Sequence, residues 1–250
     1  MCHRFEMVSG EEADAVLDWL RAVRRALASG AGAATVVPPA FGRPVDVPFD
    51  ALDCYPGAES SGIVMEEGDL ARVDLLWGVD VSWKRGLVFN ARIERAGDAG
   101  GMWSEAFAAR RCIVPAWTFF EPHRSETAIS PRTGRTVKRQ YAFASPDGTP
   151  LLLAGIYDRP LVDDGAGSEQ TEPPRFSIVT TAPTDGISPI HDRMPLVLDP
   201  AESRAWLEGA PAPLFADRSG TVLDIAPETP AARKPDKAAE QGQLPLFDLD

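Results

Sequence analysis

Short apolar runs, each bounded by Gly, Pro or Asp, constrain this chain more than any other feature. They lie at 75–77, 87–90, 112–120, 141–144, 151–157, 176–181 and 196–198. Runs this short, rich in Val, Ile and aromatic residues, suit strands rather than helices. Asp147-Gly148 stands between two of them and predicts a β-hairpin. Only two segments carry helical signals. At 10–28, Ala13, Val16, Leu17, Leu20, Val23 and Leu27 form one apolar stripe, with Ser9 and Glu12 as a capping box and Gly30 as the stop. A second helix is expected from Pro200 to about Glu208, capped by Asp199 and ended by Gly209. The expected fold class is therefore α+β: a single strand-dominated domain with a mainly antiparallel β core, flanked by a few helices. It spans 1–225, with a polar surface insertion at 160–174. Residues 226–250 hold Pro, Ala, Lys and Glu with few apolar side chains, a composition that predicts a disordered tail.

Composition narrows the partners. A 44% hydrophobic content supports a real core. No apolar run is long enough to span a bilayer. Glu6, Glu11, Glu12, Asp14 and Asp18 leave no room for a secretory signal, so a cytoplasmic protein, at a bacterial nucleoid or replication fork, is expected. Cys2, Cys54 and Cys112 have no metal-ligand spacing, and no Gly-rich phosphate loop or dinucleotide fingerprint occurs. Neither a metal nor a cofactor is expected, and the chain is expected to act as a monomer. The net charge of −12 argues against indiscriminate nucleic-acid binding. Yet residues 103–141 hold Arg110, Arg111, Arg124, Arg132, Arg135, Lys138 and Arg139 against Glu105, Glu121 and Glu126. Such a basic zone can grip phosphates locally; its bland alternative is a solvated charged loop at 122–140.

Chemistry concentrates at the start. Methionine aminopeptidases trim Met1 when the next side chain is small, as Cys2 is. The product carries an α-amine and a thiol on adjacent carbons, with reference pKa values near ~7.7–8.0 and ~8.5. An amine attacks an aldehyde to give an imine. The adjacent thiol can then close a five-membered thiazolidine.

Several segments resemble one family in sequence order. Met1-Cys2-His3-Arg4-Phe5 resembles its MCGRF opening, and Trp77-Gly78-Val79 through Trp83 its WGLIPxW segment. Phe89-Asn90-Ala91-Arg92 with Glu94 resembles INARxE, and Arg111 through Glu121 resembles RRCLVPAxGFYEW. Phe143 to Tyr157 resembles its "F…AGLW" segment. Phe176 through Thr181 and Ile190-His191-Asp192-Arg193-Met194-Pro195 resemble FTIITTxA…IHxRMP. The chain is identified by these blocks as similar to the SOS-response-associated peptidase (SRAP) family, the abasic-site shield proteins. The resemblance implies that Cys2 is the nucleophile, Asn90 orients it, Glu121 is the general acid/base and His191 assists proton transfer on the deoxyribose. It further implies DNA contacts by Arg4, Trp77, Arg92, Thr180, Thr181 and Arg193. The implied partner is single-stranded DNA with abasic sites, held as a thiazolidine crosslink, with lyase activity as a companion reaction.

Two positions depart from the family pattern. His3 replaces a Gly beside the nucleophile, and Trp117-Thr118 stands where a small turn residue is usual. Two other functions compete: a cysteine-type peptidase limited to removing Met1, and a non-catalytic module for single strands or junctions. In the tail, Gln243-Leu244-Pro245-Leu246-Phe247 resembles the QLxLF peptide that docks on the sliding clamp. Gln243, Leu244, Leu246 and Phe247 would be its contacts.

Overall fold

The computed structural model describes residues 2–43, 51–130, 133–158 and 173–228. Most of the expected insertion at 160–174, and the chain from 229 onward with Gln243–Phe247, lie outside them. Among the described residues, twelve strands and four α-helices follow in order: β1 (Phe5–Met7), α1 (Gly10–Ala28), β2 (Asp53–Cys54), β3 (Glu59–Glu66), β4 (Asp69–Trp77), β5 (Asn90–Arg92), α2 (Ile93–Ala96), α3 (Ser104–Ala109), β6 (Arg111–Ile129), β7 (Thr136–Ala144), β8 (Leu151–Tyr157), β9 (Arg175–Thr181), β10 (Met194–Pro195), β11 (Val197–Leu198), α4 (Pro200–Leu207) and β12 (Asp224–Pro227). This is the expected α+β, strand-dominated fold. No helix among the described residues is long and apolar enough to cross a membrane.

Pairings β8–β9, β9–β4, β4–β3, β3–β6 and β6–β8 close a ring of strands. All are antiparallel except β9–β4. Side-chain alternation then sorts residues to two sides. Val64, Leu75, Trp77, Cys112, Val114, Leu153, Phe176 and Ile178 share one cluster. Their neighbours Ile63, Ile113, Leu152, Ala154, Ile156 and Val179 share the other, with α1 and α4 packed over it through Val16, Leu20, Val23 and Trp206. Both faces of β8 are therefore buried, which is why 151–157 is apolar throughout. Both helices are capped as their sequences predict, with Ser9/Glu12 and Asp199/Glu202 capping boxes.

Four expectations change. The tail expected from 226 does not begin there, because Ala226 and Pro227 still pair with Ala142 and Tyr141 of β7 and Glu228 meets Arg4. Asp147-Gly148 does not close a hairpin. β7 and β8 both pair with β6, at Thr118–Ile129 and Arg111–Ala116 respectively, so they run in line along one edge of that strand. Length explains this, because β6 has 19 residues and exceeds either partner. The strand expected at 87–90 instead begins at Asn90, and Val88 makes only an isolated bridge to Val79. Finally, β3 and most of β4 were hidden, because Glu59, Asp69, Arg72 and Asp74 interrupt their apolar pattern. Glu67 (φ 48) and Gly68 (φ 86) turn this hairpin.

Candidate functional site

The start of the chain reaches the interior along β6. Phe5 pairs with Phe119, and the Phe120 amide donates to the Arg4 carbonyl at 3.1 Å. Two residues from that contact, Cys2 is fully buried. Its carbonyl accepts from Asn90 Nδ2 at 2.8 Å, and its thiol donates to the Arg4 carbonyl at 3.5 Å. Asn90 can do this because β5 starts there, beside Ile178 of β9. Burial pushes the Cys2 thiol well above its ordinary pKa, and the charge of Glu121 adds to the effect. The sulfur is thus a thiol, not a thiolate, at neutral pH.

Glu121 has no exposed surface. Burial raises its pKa to about 7, with Asp192 adding to the rise. His191 Nε2 lies 3.6 Å from Glu121 Oε2. Burial lowers the His191 pKa. Both shifts oppose an ion pair, so burial favours neutral partners. His191 Nδ1 faces the Arg193 amide (3.2 Å) and the Arg193 carbonyl (3.0 Å). One accepts and the other donates, so either tautomer finds a partner. A carboxyl poised near neutrality beside a ring held in either tautomer can both give and take protons.

The four residues expected to carry chemistry are therefore brought together: Cys2, Asn90 and Glu121 around the terminal strand, His191 against Glu121. Those expected at DNA are placed unevenly. Arg92 is exposed. Arg193 clamps Glu94 at 2.7 and 2.9 Å and donates to the Thr180 carbonyl at 2.7 Å. Thr180 and Thr181 are buried, and the Thr180 hydroxyl donates to Ala91 O at 3.4 Å. The burial of both threonines departs from expectation, and two further placements do so as well. Arg4 is buried, pairs with Asp53 (3.3 Å) and Glu228 (2.6 Å), and lies 3.6 Å over the Phe120 ring. It braces the terminal strand instead of meeting solvent. Trp77 has no exposed surface and packs among Phe5, Phe89 and Phe176. Its motif partner Trp83 is 69% exposed. The chain leaves the sheet between them at Gly78, whose φ of 101° suits glycine and where a Cβ would come within 2.8 Å of the Leu87 side chain.

Sequence reasoning missed Asp53 and Glu228, which have no local signal, and Tyr141, which sits opposite Glu121 on β7. The unusual pair Trp117-Thr118 is accommodated inward. Both are buried, and Thr118 keeps its register with Ala144.

Known proteins resemble this one in fold and, more distantly, in sequence. The structure resembles crystal structures of a phage-related protein from Bordetella bronchiseptica (TM-score 0.60, 20% identity, 91% of this chain and 94% of that one) and of a Bacteroides thetaiotaomicron protein (TM-score 0.55, 22% identity, 90% and 91%). The sequence is 25% identical over 173 residues to the abasic site processing protein YedK of Escherichia coli, covering 65% of this chain and 68% of that one. It is 26% identical over 159 residues to the abasic site processing protein YoqW of Bacillus subtilis, covering 58% and 61%. The model of the family SOS response associated peptidase (SRAP) matches residues 1–223, and the chain belongs to that family.

Proposed function

We propose that the protein captures abasic sites in single-stranded DNA as a thiazolidine on Cys2. The observation that carries this reading is the placement of a buried carboxyl, Glu121, with a pKa near 7, beside the strand that delivers Cys2. The names of its relatives, abasic site processing proteins, point the same way.

The chemistry begins with hydrolysis of the Met1–Cys2 bond, which frees the amine. The open form of the abasic sugar presents its C1′ aldehyde. The Cys2 nitrogen attacks C1′, and a proton passes to the carbonyl oxygen. Neutral Glu121 then gives its proton to the departing hydroxyl, which leaves as water, and an imine remains. The thiol adds to the imine carbon while its proton goes to the nitrogen. The sum is protein plus DNA minus one water. Asn90 fixes the Cys2 carbonyl, so the amine need not be ordered at the moment of reaction. The high thiol pKa keeps the sulfur protonated until the imine exists.

A companion lyase reaction is supported by the His191–Glu121 contact of 3.6 Å. From the imine, loss of a C2′ proton to this pair would break the C3′–O bond and release the 3′ phosphate.

The test is intact mass after mixing the protein with an oligonucleotide bearing one abasic site. The expected product is protein lacking Met1, plus oligonucleotide, minus water, stable to heat. Cys2→Ser should keep imine chemistry and strand cleavage while the heat-stable adduct disappears. An unchanged heat-stable adduct in Cys2→Ala sinks the proposal.

A further inference from the structure

Past Glu121, β6 continues into a projection that the chemistry does not use. Residues 123–129 of β6 and 136–139 of β7 form a two-stranded ribbon, with Thr127↔Lys138, Ala128↔Val137 and Ile129↔Thr136 in register. β12 leaves β7 at Tyr141, and β1 covers β6 only as far as Phe119. Beyond those points, no other described strand pairs with the ribbon. It reaches about 13 Å along β7 from Gln140 to Thr136 at ~3.3 Å per residue, because β6 bulges between Pro122 and Thr127.

Stability does not account for such an arm. Ile129 is 62% exposed and Val137 44% exposed, so it buries little. A two-stranded hairpin is marginal in water on its own. Its charge is distinctive. Residues 122–140 carry five basic residues against Glu126 alone, in a chain with net charge −12. That acid is already engaged: Glu126 accepts from the Tyr141 hydroxyl at 2.9 Å and from Arg139 at 3.3 Å. Arg124, Arg135 and Lys138 are exposed, and none has a carboxylate partner among the described residues.

The root of the ribbon is fixed to the site. The Arg124 amide donates to the Ile190 carbonyl at 2.9 Å, and its guanidinium donates to the Ser188 carbonyl. Both carbonyls belong to the turn that presents His191. Arg139 lies two residues from Tyr141, the partner of Glu121 across the strands, so it extends the face on which Glu121 stands. The positive arm thus begins at the reacting groups and runs outward from them.

We propose that this ribbon is a second DNA contact, gripping the sugar-phosphate backbone several nucleotides from the lesion. It rests on the reading of the site as one for DNA, and it adds an anchor that does not depend on the aldehyde. Phosphate contacts hold position without reading sequence, which suits lesions that arise anywhere. On an acidic protein, confining positive charge to one arm attracts a strand locally while the remaining surface repels bulk DNA.

The experiment is fluorescence anisotropy of a labelled, undamaged single-stranded oligonucleotide, titrated with the full-length protein over a series of salt concentrations. Arg135→Gln/Lys138→Gln should bind on the order of tenfold more weakly at low salt. Its slope of log affinity against log salt should be shallower by about 1.4, the sum for two phosphate contacts at ~0.7 each. A control, Arg25→Gln/Arg95→Gln, removes two exposed charges elsewhere and should leave the slope unchanged. Because both ribbon residues are exposed, circular dichroism should show no loss of fold. An unchanged slope in the ribbon variant overturns the proposal, and so does an equal loss in the control. Neither outcome depends on crosslinking. Failure of the wild-type protein to form an adduct with an abasic oligonucleotide would instead overturn the reading of Cys2.

Discussion

The two ends of β6 do opposite things with the same backbone. From Arg111 to Glu121 every side chain is buried, and the strand has sheet partners on both sides. From Arg124 to Ile129 the strand has one partner and lies largely in solvent. Glu121 stands at the boundary. A carboxyl at Arg124 or Ser125, the first exposed positions of the strand, would be solvated. One in the apolar ring would have no group with which to exchange protons. Burial at the last covered position is what tunes Glu121, and on the proposed reading the emergence of the strand just beyond it would give DNA a route to that carboxyl.

The largest expected effect comes from breaking the buried half. Glu121→Gln should slow adduct formation by about 10²–10⁴-fold, the range for a general acid/base. Its pH profile should change form as well. The wild-type rate needs a free amine, so it falls below the amine pKa of ~7.7. It also needs protonated Glu121, so it falls again above about 7. The result is a bell with its maximum near neutrality, and the variant should lose the alkaline limb. Stability moves the other way. A carboxyl whose pKa is raised on folding destabilises the fold as pH rises from about 4.5 to about 7, and the deficit stays constant above that. Urea melts should therefore find Glu121→Gln more stable than wild type by roughly 1–3 kcal/mol at pH 9. The difference should vanish near pH 4. A variant equally stable at both pH values would mean that burial does not perturb this carboxyl.

Next in size is Arg4. Its guanidinium joins β1 to Asp53 on one side and to Glu228, just past β12, on the other. Arg4→Met keeps an apolar side chain of similar length but removes the guanidinium from the Phe120 ring and leaves two largely buried carboxylates without their cation. A loss of about 3 kcal/mol is expected in chemical denaturation, as for a broken buried pair. Asp53→Asn/Glu228→Gln in the same background should restore much of it. If Arg4→Met instead weakens DNA binding at unchanged stability, Arg4 meets phosphate after all.

What the sequence made legible follows the same division. The two capped helices, the all-buried β8 and the order of the family blocks were readable because each is local: a cap, an apolar run, a motif. The same local reading failed at β3 and β4, where Glu59, Arg72 and Asp74 point to solvent from strands that also carry core residues such as Ile63, Val64, Leu75 and Trp77. It failed at Asp147-Gly148, because a turn signal fixes a change of course but not which strands pair. The site divided likewise. Cys2, Asn90, Glu121 and His191 came from motifs, yet nothing along the chain indicated that Arg4 would turn inward. Its acceptors lie 49 and 224 positions away, too far for any pattern in a short window to reveal.

The two tryptophans of one motif offer the cleanest test, because they sit six residues apart, one in the interior and one in solvent. Trp77 fills the interior against three phenylalanines and donates Nε1 to the Phe89 carbonyl at 2.9 Å. Trp77→Ala should cost about 3–5 kcal/mol of stability. Trp83 packs against little, and Trp83→Ala should leave stability within about 0.5 kcal/mol. If the exposed indole stacks on an unpaired base, the same variant should weaken single-strand binding by roughly 1 kcal/mol or more, about fivefold, with the salt slope unchanged because no charge is lost. That unchanged slope separates it from the ribbon variant, whose loss is electrostatic. Binding unaffected by Trp83→Ala would confine the single-strand contact to charged groups and leave the exposed indole without a part in it.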